Sequence, residues 1–128
     1  MVSGRTIVKR KNDTGAIGEK IAGEFLQEQG YVIGETNYRC PYGEIDIIAR
    51  QEDCLVFIEV RTKTNMKFGT PEESVTRVKK DRLRASAQHY LQAHNEEASM
   101  WRIDFVAVEL GQRGELLRIE LFENAVGE

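Results

Sequence analysis

Two short segments carry acidic side chains at positions where a β-strand normally buries apolar ones. Residues 43–49 (GEIDIIA) and 55–61 (LVFIEVR) are rich in Ile, Val and Phe, and the polar stretch 51–54 separates them. This pattern predicts a β-hairpin. Asp46 and Glu59 interrupt the apolar runs, and burial of a charge costs free energy unless the charge is paired or binds a metal. These two acids are therefore candidates for chemistry.

The hairpin register can be predicted if residues 51–54 loop out. Four cross-strand pairs then share one face: Arg50 with Leu55, Ile48 with Phe57, Asp46 with Glu59, and Glu44 with Arg61. Directly opposed Cβ atoms lie roughly 4.5–5.5 Å apart, so two carboxylates there would repel each other. A hard divalent cation such as Mg²⁺ would convert this repulsion into coordination. The pattern predicts a metal site at Asp46 and Glu59, with the Val60 carbonyl as a third ligand.

A structural arrangement of the same side chains is the alternative. Glu44 and Arg61 would form a cross-strand ion pair, while Asp46 and Glu59 would accept hydrogen bonds from lysine or backbone donors. A register slip of one residue would also remove the metal site, because it moves every side chain of a strand to the other face.

The chain length of 128 residues fits one domain. We expect a loose basic lead-in over residues 1–12 and a single nuclease-like domain over residues 13–128. The predicted elements are a helix from Asp13 or Thr14 to about 29, strands at 31–38, 43–50 and 55–61, a helix from Thr70–Pro71 to about 94, and strands at 101–110 and 115–122. The order α-β-β-β-α-β-β predicts an α/β fold in which helices flank a central mixed five-stranded sheet.

Each predicted helix has one charged residue near its inward face. Glu19 lies at the margin of the apolar arc of the first helix, although the helix dipole also favours a surface glutamate there. In the second helix, Lys79 lies between Val75 and Leu83 on the inward arc, which indicates an anionic partner. The alternative is that its long stem reaches back to the solvent.

The net charge of −3 does not by itself indicate a nucleic-acid-binding protein. Basic residues are nevertheless clustered, at Lys9, Arg10, Lys11, Arg77, Lys79, Lys80, Arg82 and Arg84. Such a stripe can contact phosphates, and it can equally be a solvated helix face.

The two cysteines and two histidines lack the spacing of a zinc site. No apolar run is long enough to span a membrane, and we see no secretory signal. We therefore expect a cytoplasmic protein with free thiols and no membrane partner.

An acid on one strand and a Glu-X-basic tripeptide on the next resemble the PD-(D/E)XK phosphodiesterase superfamily, which includes restriction endonucleases and archaeal Holliday junction resolvases. The resemblance is closer to the YraN-type family of small, endonuclease-like bacterial proteins and covers roughly residues 14–108. The positions that carry it are Gly15, Gly18, Glu19, Ala22, Gly30, Tyr31, 37–39 (NYR), 43–49, 56–61, Phe68, Gly69, Lys79, Ala87, Tyr90, Leu91 and 102–104 (RID).

The resemblance implies a restriction-endonuclease-like fold and hydrolysis of phosphodiesters in nucleic acid, above all structured or branched DNA. Asp46 and Glu59 match the acids that bind Mg²⁺ or Mn²⁺, and Glu19 matches the first-helix glutamate of resolvase-like members. Resolvase-like enzymes cut two strands, which implies a homodimer. The residues expected to hold nucleic acid are Lys9, Arg10, Lys11, Arg39, Lys63, Arg77 and Lys80.

Arg61 departs from the superfamily, which has a lysine at this position. Arginine has a much higher pKa and a planar guanidinium, so Arg61 can clamp a phosphate but cannot act as a base. Lys63 and Lys79 are the candidates to replace the lysine, and the helical projection favours Lys79. The departure keeps two other functions open: a non-catalytic nucleic-acid-binding module and a protein-interaction module on the same fold.

Overall fold

A computed structural model describes residues 13–97 and 99–126 of the chain. The elements are α1 (Asp13–Glu28), β1 (Val32–Cys40), β2 (Gly43–Gln51), β3 (Cys54–Lys63), a short 3-10 helix (Glu72–Ser74), α2 (Arg77–Ala93), β4 (Met100–Leu110) and β5 (Leu116–Phe122). The predicted α/β fold and its element order are confirmed. The predicted lead-in, with Lys9, Arg10 and Lys11, lies outside the described residues.

The five strands form one mixed sheet in the order β1-β2-β3-β4-β5. Among these described strands, β3 and β4 form the one parallel pair, and α2 provides the crossover that a parallel connection requires. Within the hairpin, Arg50 pairs with Leu55 and Ile48 with Phe57, so the predicted register is confirmed for these residues.

The two helices cover opposite faces of the sheet, and the central strand β3 contributes to both cores. Val56 and Ile58 pack in the cluster that includes Leu26 of α1. Phe57 packs in the other cluster, with Leu83 of α2. Because side chains alternate along a strand, a strand buried on both faces must be apolar almost throughout, which makes the acid in β3 unusual.

The predicted start of the second helix at Thr70–Pro71 is wrong. The chain forms one 3-10 turn (72–74), and α2 begins only after Thr76, whose hydroxyl accepts the Lys79 N–H at 3.1 Å. Arg61 of β3 explains the break, because its guanidinium donates to the hydroxyl and the carbonyl of the last residue of that turn at 3.0 and 3.5 Å. Over the described part of the chain, neither helix has the length and apolarity that membrane crossing demands.

Candidate active site

The two candidate acids lie where β2 and β3 separate, a place that we call the strand fork. The backbone ladder between these two described strands ends at the Ile47–Ile58 pair, so the predicted direct pairs of Asp46 with Glu59 and of Glu44 with Arg61 are not part of it. Ile47 joins the α1-side core and Ile45 the α2-side core, so the strand alternation breaks at Asp46. The residue between the flanking β1–β2 pairs, Asn37, has a positive φ of 54°.

Asp46 bridges the strand fork with its side chain. It is only 5% exposed, and its Oδ2 accepts the Val60 N–H at 2.8 Å. The carboxylate therefore provides an acceptor for a β3 amide beyond the end of the β2–β3 ladder. This bond fixes Asp46 beside Glu59, the residue that precedes Val60.

Glu59 is almost completely buried and only partly neutralised. Its Oε2 lies 3.2 Å from Arg61 Nη1 and 3.5 Å from Lys79 Nζ. Its buried Oε1 has no hydrogen-bond partner within residues 13–97 and 99–126. Burial, and then the negative charge of Asp46, raise the pKa of Glu59 to about 7 against the opposing effect of Lys79 and Arg61. Near neutral pH, the protein thus holds a carboxylate that is easily protonated and has one unused oxygen.

Arg61 is held in place by a chain of contacts that sequence analysis missed. Its Nε donates to the Ser74 hydroxyl at 3.0 Å. The 3-10 turn that carries Ser74 is in turn clamped by Arg118 of β5, whose guanidinium contacts Glu72 at 2.9 Å and Glu109 at 2.6 Å. The alternating charged residues along β4 and β5 indicated that ion pairs would form there. They did not indicate which acid Arg118 would contact.

Of the two lysines considered as replacements, Lys79 reaches the acids. It occupies the first turn of α2 and points inward to Glu59, in agreement with the helical projection. Lys63 instead donates to the Gly69 carbonyl at 3.2 Å. Lys63 lines the same cleft as Arg61. Of the two lysines, Lys79 is therefore the one that the structure places against Glu59.

Glu19 borders the site from α1. It lines one cleft with Asp46 and a second cleft with Val60 and Arg61, and it accepts a hydrogen bond from the Asn37 side chain at 3.3 Å. Gly18 allows this approach, because a Cβ there would lie 1.9 Å from Thr62 Oγ1 of β3. The second cleft has a volume of about 230 Å³, and one water takes about 30 Å³ in the liquid, so a phosphate with several waters fits.

The donor set fits a magnesium-type ion held by two carboxylates. No group of three or more His, Cys, Asp or Glu side chains among the described residues could hold a metal ion, which argues against a zinc-like cage. Mg²⁺ commonly uses one or two carboxylates and completes its shell with waters and substrate phosphates. The unpartnered Oε1 of Glu59, beside Asp46, is the atom that such an ion would satisfy.

The predicted nucleic-acid-binding residues divide into two groups. Arg77 and Lys80 lie on the first turn of α2, the turn from which Lys79 contacts Glu59. Arg39 lies instead in a separate open groove between the β1–β2 turn and α2, where Arg82 also lies. Arg77 and Lys80 therefore share a helical turn with Lys79, whereas Arg39 lies in the groove that Arg82 also lines.

A third buried acid lies in β4, and sequence analysis assigned it no structural role. Asp104 is fully buried and accepts hydrogen bonds from the Tyr31 hydroxyl at 2.9 Å, Arg102 Nε at 3.0 Å and the Asn124 N–H at 2.8 Å. Burial and the contact with Asp104 raise the pKa of Tyr31 to about 12. The period-two spacing of Arg102 and Asp104 was a usable signal for this pair.

The protein is an α/β protein with a mixed five-stranded sheet between two helices. Buried acids and two cations lie at the strand fork. This is the architecture that the PD-(D/E)XK resemblance implies. The profile described as "Uncharacterised protein family UPF0102" matches residues 18–108, and the chain belongs to this family. It is 51% identical over 118 residues to a UPF0102 protein of Dehalococcoides mccartyi, covering 92% of this chain and 96% of the relative. A UPF0102 protein of Moorella thermoacetica is 44% identical over 120 residues, covering 94% and 98%.

Proposed function

We propose that this protein is a metal-dependent phosphodiester hydrolase that acts on nucleic acid, with structured or branched DNA as its substrate class. The observation that supports the proposal is the buried Oε1 of Glu59, which has no hydrogen-bond partner among the described residues although Asp46 lies beside Glu59. A purely structural ion pair would be expected to satisfy both oxygens, because nearly all buried polar atoms in proteins are hydrogen-bonded.

Asp46 and Glu59 are the residues that would hold Mg²⁺ or Mn²⁺, and the Val60 carbonyl is a further candidate ligand. When bound, such an ion polarises a phosphoryl oxygen and lowers the pKa of a coordinated water. Glu19 lines both clefts and would orient a water molecule.

Arg61 and Lys79 supply the positive charge that the reaction requires. In hydrolysis the water oxygen bonds to phosphorus as the P–O ester bond breaks, and negative charge develops on the phosphoryl oxygens. Donors fixed in advance stabilise this charge most effectively, and Arg61 is fixed by Ser74. Arginine side chains do not act as bases in proteins, so the role proposed for Arg61 is to clamp the phosphate rather than to accept a proton.

A cleavage screen over single-stranded, duplex, forked and four-way DNA, with RNA counterparts, tests the proposal in Mg²⁺ and in Mn²⁺. Asp46→Asn and Glu59→Gln should each lower cleavage by about 10²-fold or more, comparable to loss of a key transition-state contact. Asp53→Asn, at an exposed acid in the β2–β3 turn, is the matched control and should cleave like wild type. Equal cleavage by Asp46→Asn and wild type would refute the assignment.

A non-catalytic nucleic-acid-binding module is the second candidate. The ion pairs of Glu59 with Arg61 and Lys79 favour it, because they partly neutralise the acid without any metal. Such a module would bind DNA with a steep salt dependence, as phosphate contacts do, and would not respond to Mn²⁺. A protein-interaction module would show neither salt-dependent DNA binding nor metal binding.

A further inference from the structure

We propose that Phe68 is a stacking platform for an unpaired nucleobase, so that the substrate of the adjoining site contains a single-stranded or locally open segment. The inference rests on the proposed function for the nature of the ligand. Phe68 is 84% exposed, more than any other large apolar side chain in the described part of the protein. One exposed apolar residue is ordinary by itself, so its setting decides its meaning.

The turn that carries Phe68 is ordered by its own hydrogen bonds. The Gly69 N–H donates to the Met66 carbonyl at 3.0 Å, and the Lys67 N–H donates to Asn65 Oδ1 at 2.8 Å. Gly69 has a φ of +106°, a conformation that favours glycine. The ring is thus presented to solvent by a specific backbone conformation.

In the chain, this turn lies between two segments that contribute to the strand fork. It directly follows β3, the strand of Glu59 and Arg61, and precedes the 3-10 turn whose Ser74 holds Arg61. Lys63 links the two regions, because its side chain lines the cleft beside Arg61 while its ammonium donates to Gly69, the neighbour of Phe68.

The charge near Phe68 indicates what kind of ligand the ring would bind. Lys67 Nζ lies 5.7 Å from the centroid of the Phe68 ring, so a cation accompanies the exposed aromatic face. Aromatic rings flanked by cations are the combination by which proteins bind single strands, where bases stack on the ring and phosphates meet the cations. Bases inside a duplex are already stacked on each other, so only unpaired bases can use such a ring.

Binding measurements without divalent ions test the proposal, with fluorescence anisotropy of labelled DNA as the readout. The probes are a single strand, a blunt duplex of equal length and a duplex with a central unpaired loop. Phe68→Ala should weaken binding to the unpaired probes by about 5- to 100-fold and leave the blunt duplex within about twofold. Phe68→Tyr should restore binding and Phe68→Leu should not. Leu117→Ala, at a 64% exposed apolar residue of β5, is the matched control.

An abasic scan of the looped probe sharpens the result. Removal of the stacked base should weaken wild type but not Phe68→Ala, because the variant has already lost that contact. Equal losses on all probes, full binding by Phe68→Leu, or no DNA binding by wild type would overturn the proposal. Sedimentation that shows a dimer lost in Phe68→Ala would instead assign the ring to a second copy of the chain.

Cleavage of the looped probe in Mn²⁺ separates this inference from the proposed function. If Asp46→Asn still cleaves while Phe68→Ala loses its preference for unpaired DNA, the hydrolase assignment fails and the stacking platform stands. If cleavage requires Asp46 but wild type and Phe68→Ala share the same preference, the stacking platform fails alone.

Discussion

Glu59 and Asp104 are buried acids on the neighbouring parallel strands β3 and β4, and the protein treats them in opposite ways. Both oxygens of Asp104 accept hydrogen bonds, from Tyr31, Arg102 and the Asn124 N–H. Glu59 uses one oxygen for two cations, and its other oxygen has no partner in the described part of the chain. The comparison distinguishes an acid whose two oxygens are both hydrogen-bonded from an acid with one oxygen left over, which we propose binds a metal ion.

The difference follows from where each acid lies in the sheet. Asp104 pairs in register with Ile58 in the β3–β4 ladder, and its carboxylate accepts hydrogen bonds from Tyr31, just before β1, and from the Asn124 N–H, just after β5. Glu59 lies at the strand fork, where β2 has turned away and Asp46 occupies the opening. The end of the β2–β3 ladder leaves Asp46 next to Glu59, and the burial of Glu59, followed by the charge of Asp46, raises its pKa.

The largest change in the free energy of unfolding is expected for Asp104→Asn. The substitution removes the charge that Arg102 pairs with and places an amide NH₂ among donors, so it should lower the free energy of unfolding by about 3–5 kcal/mol. Denaturant unfolding measures this change, and Asp53→Asn provides a control at an exposed acid. A loss below about 1 kcal/mol would mean that the Asp104 cluster contributes little, since that is the range of surface pairs.

Glu59→Gln should raise the free energy of unfolding at alkaline pH, whereas Asp104→Asn should lower it. The folded-state pKa of about 7 lies above the ordinary value of 4.5, so the wild-type protein loses stability as pH rises between these values. At pH 8 the variant, which carries no charge, should be more stable by about 2–3 kcal/mol, and the difference should vanish below about pH 5. Denaturant unfolding as a function of pH measures it. A variant less stable than wild type at pH 8 would show that Arg61 and Lys79 outweigh the burial of Glu59.

Arg118→Gln should give the smallest change in the free energy of unfolding of the three substitutions. Its contacts with Glu72 are partly exposed, with about 29% and 27% of the two side chains accessible, so the loss of stability should be about 1 kcal/mol and should shrink in high salt. Arg113→Gln, in the exposed β4–β5 turn, is the control. A salt-independent loss of several kcal/mol would contradict this expectation. It would show that the contact of Arg118 with the 3-10 turn stabilises the protein as a buried ion pair does.

Local patterns predicted the parts of the molecule that depend on local physics. Period-two alternation gave the Ile48–Phe57 register, and helical projection placed Lys79 toward the acids. The break before α2 involves a contact between Arg61 and Ser74, which are 13 residues apart. The end of the β2–β3 ladder at the Ile47–Ile58 pair has no counterpart in the composition of either strand, so neither feature could be predicted from the segments alone. The cluster around Asp104 joins residues up to 73 positions apart, a separation that no local pattern encodes.

Titration of the protein with Mn²⁺ by calorimetry tests the central claim most directly, with wild type, Glu59→Gln and Asp53→Asn compared at several pH values. Wild type and Asp53→Asn should bind the ion, with an affinity that rises about tenfold per pH unit up to about pH 7 and then levels off, because Glu59 must lose its proton to bind. Glu59→Gln should show no such binding. Binding that Glu59→Gln retains at full affinity, or no binding by wild type at pH 8, would contradict the account.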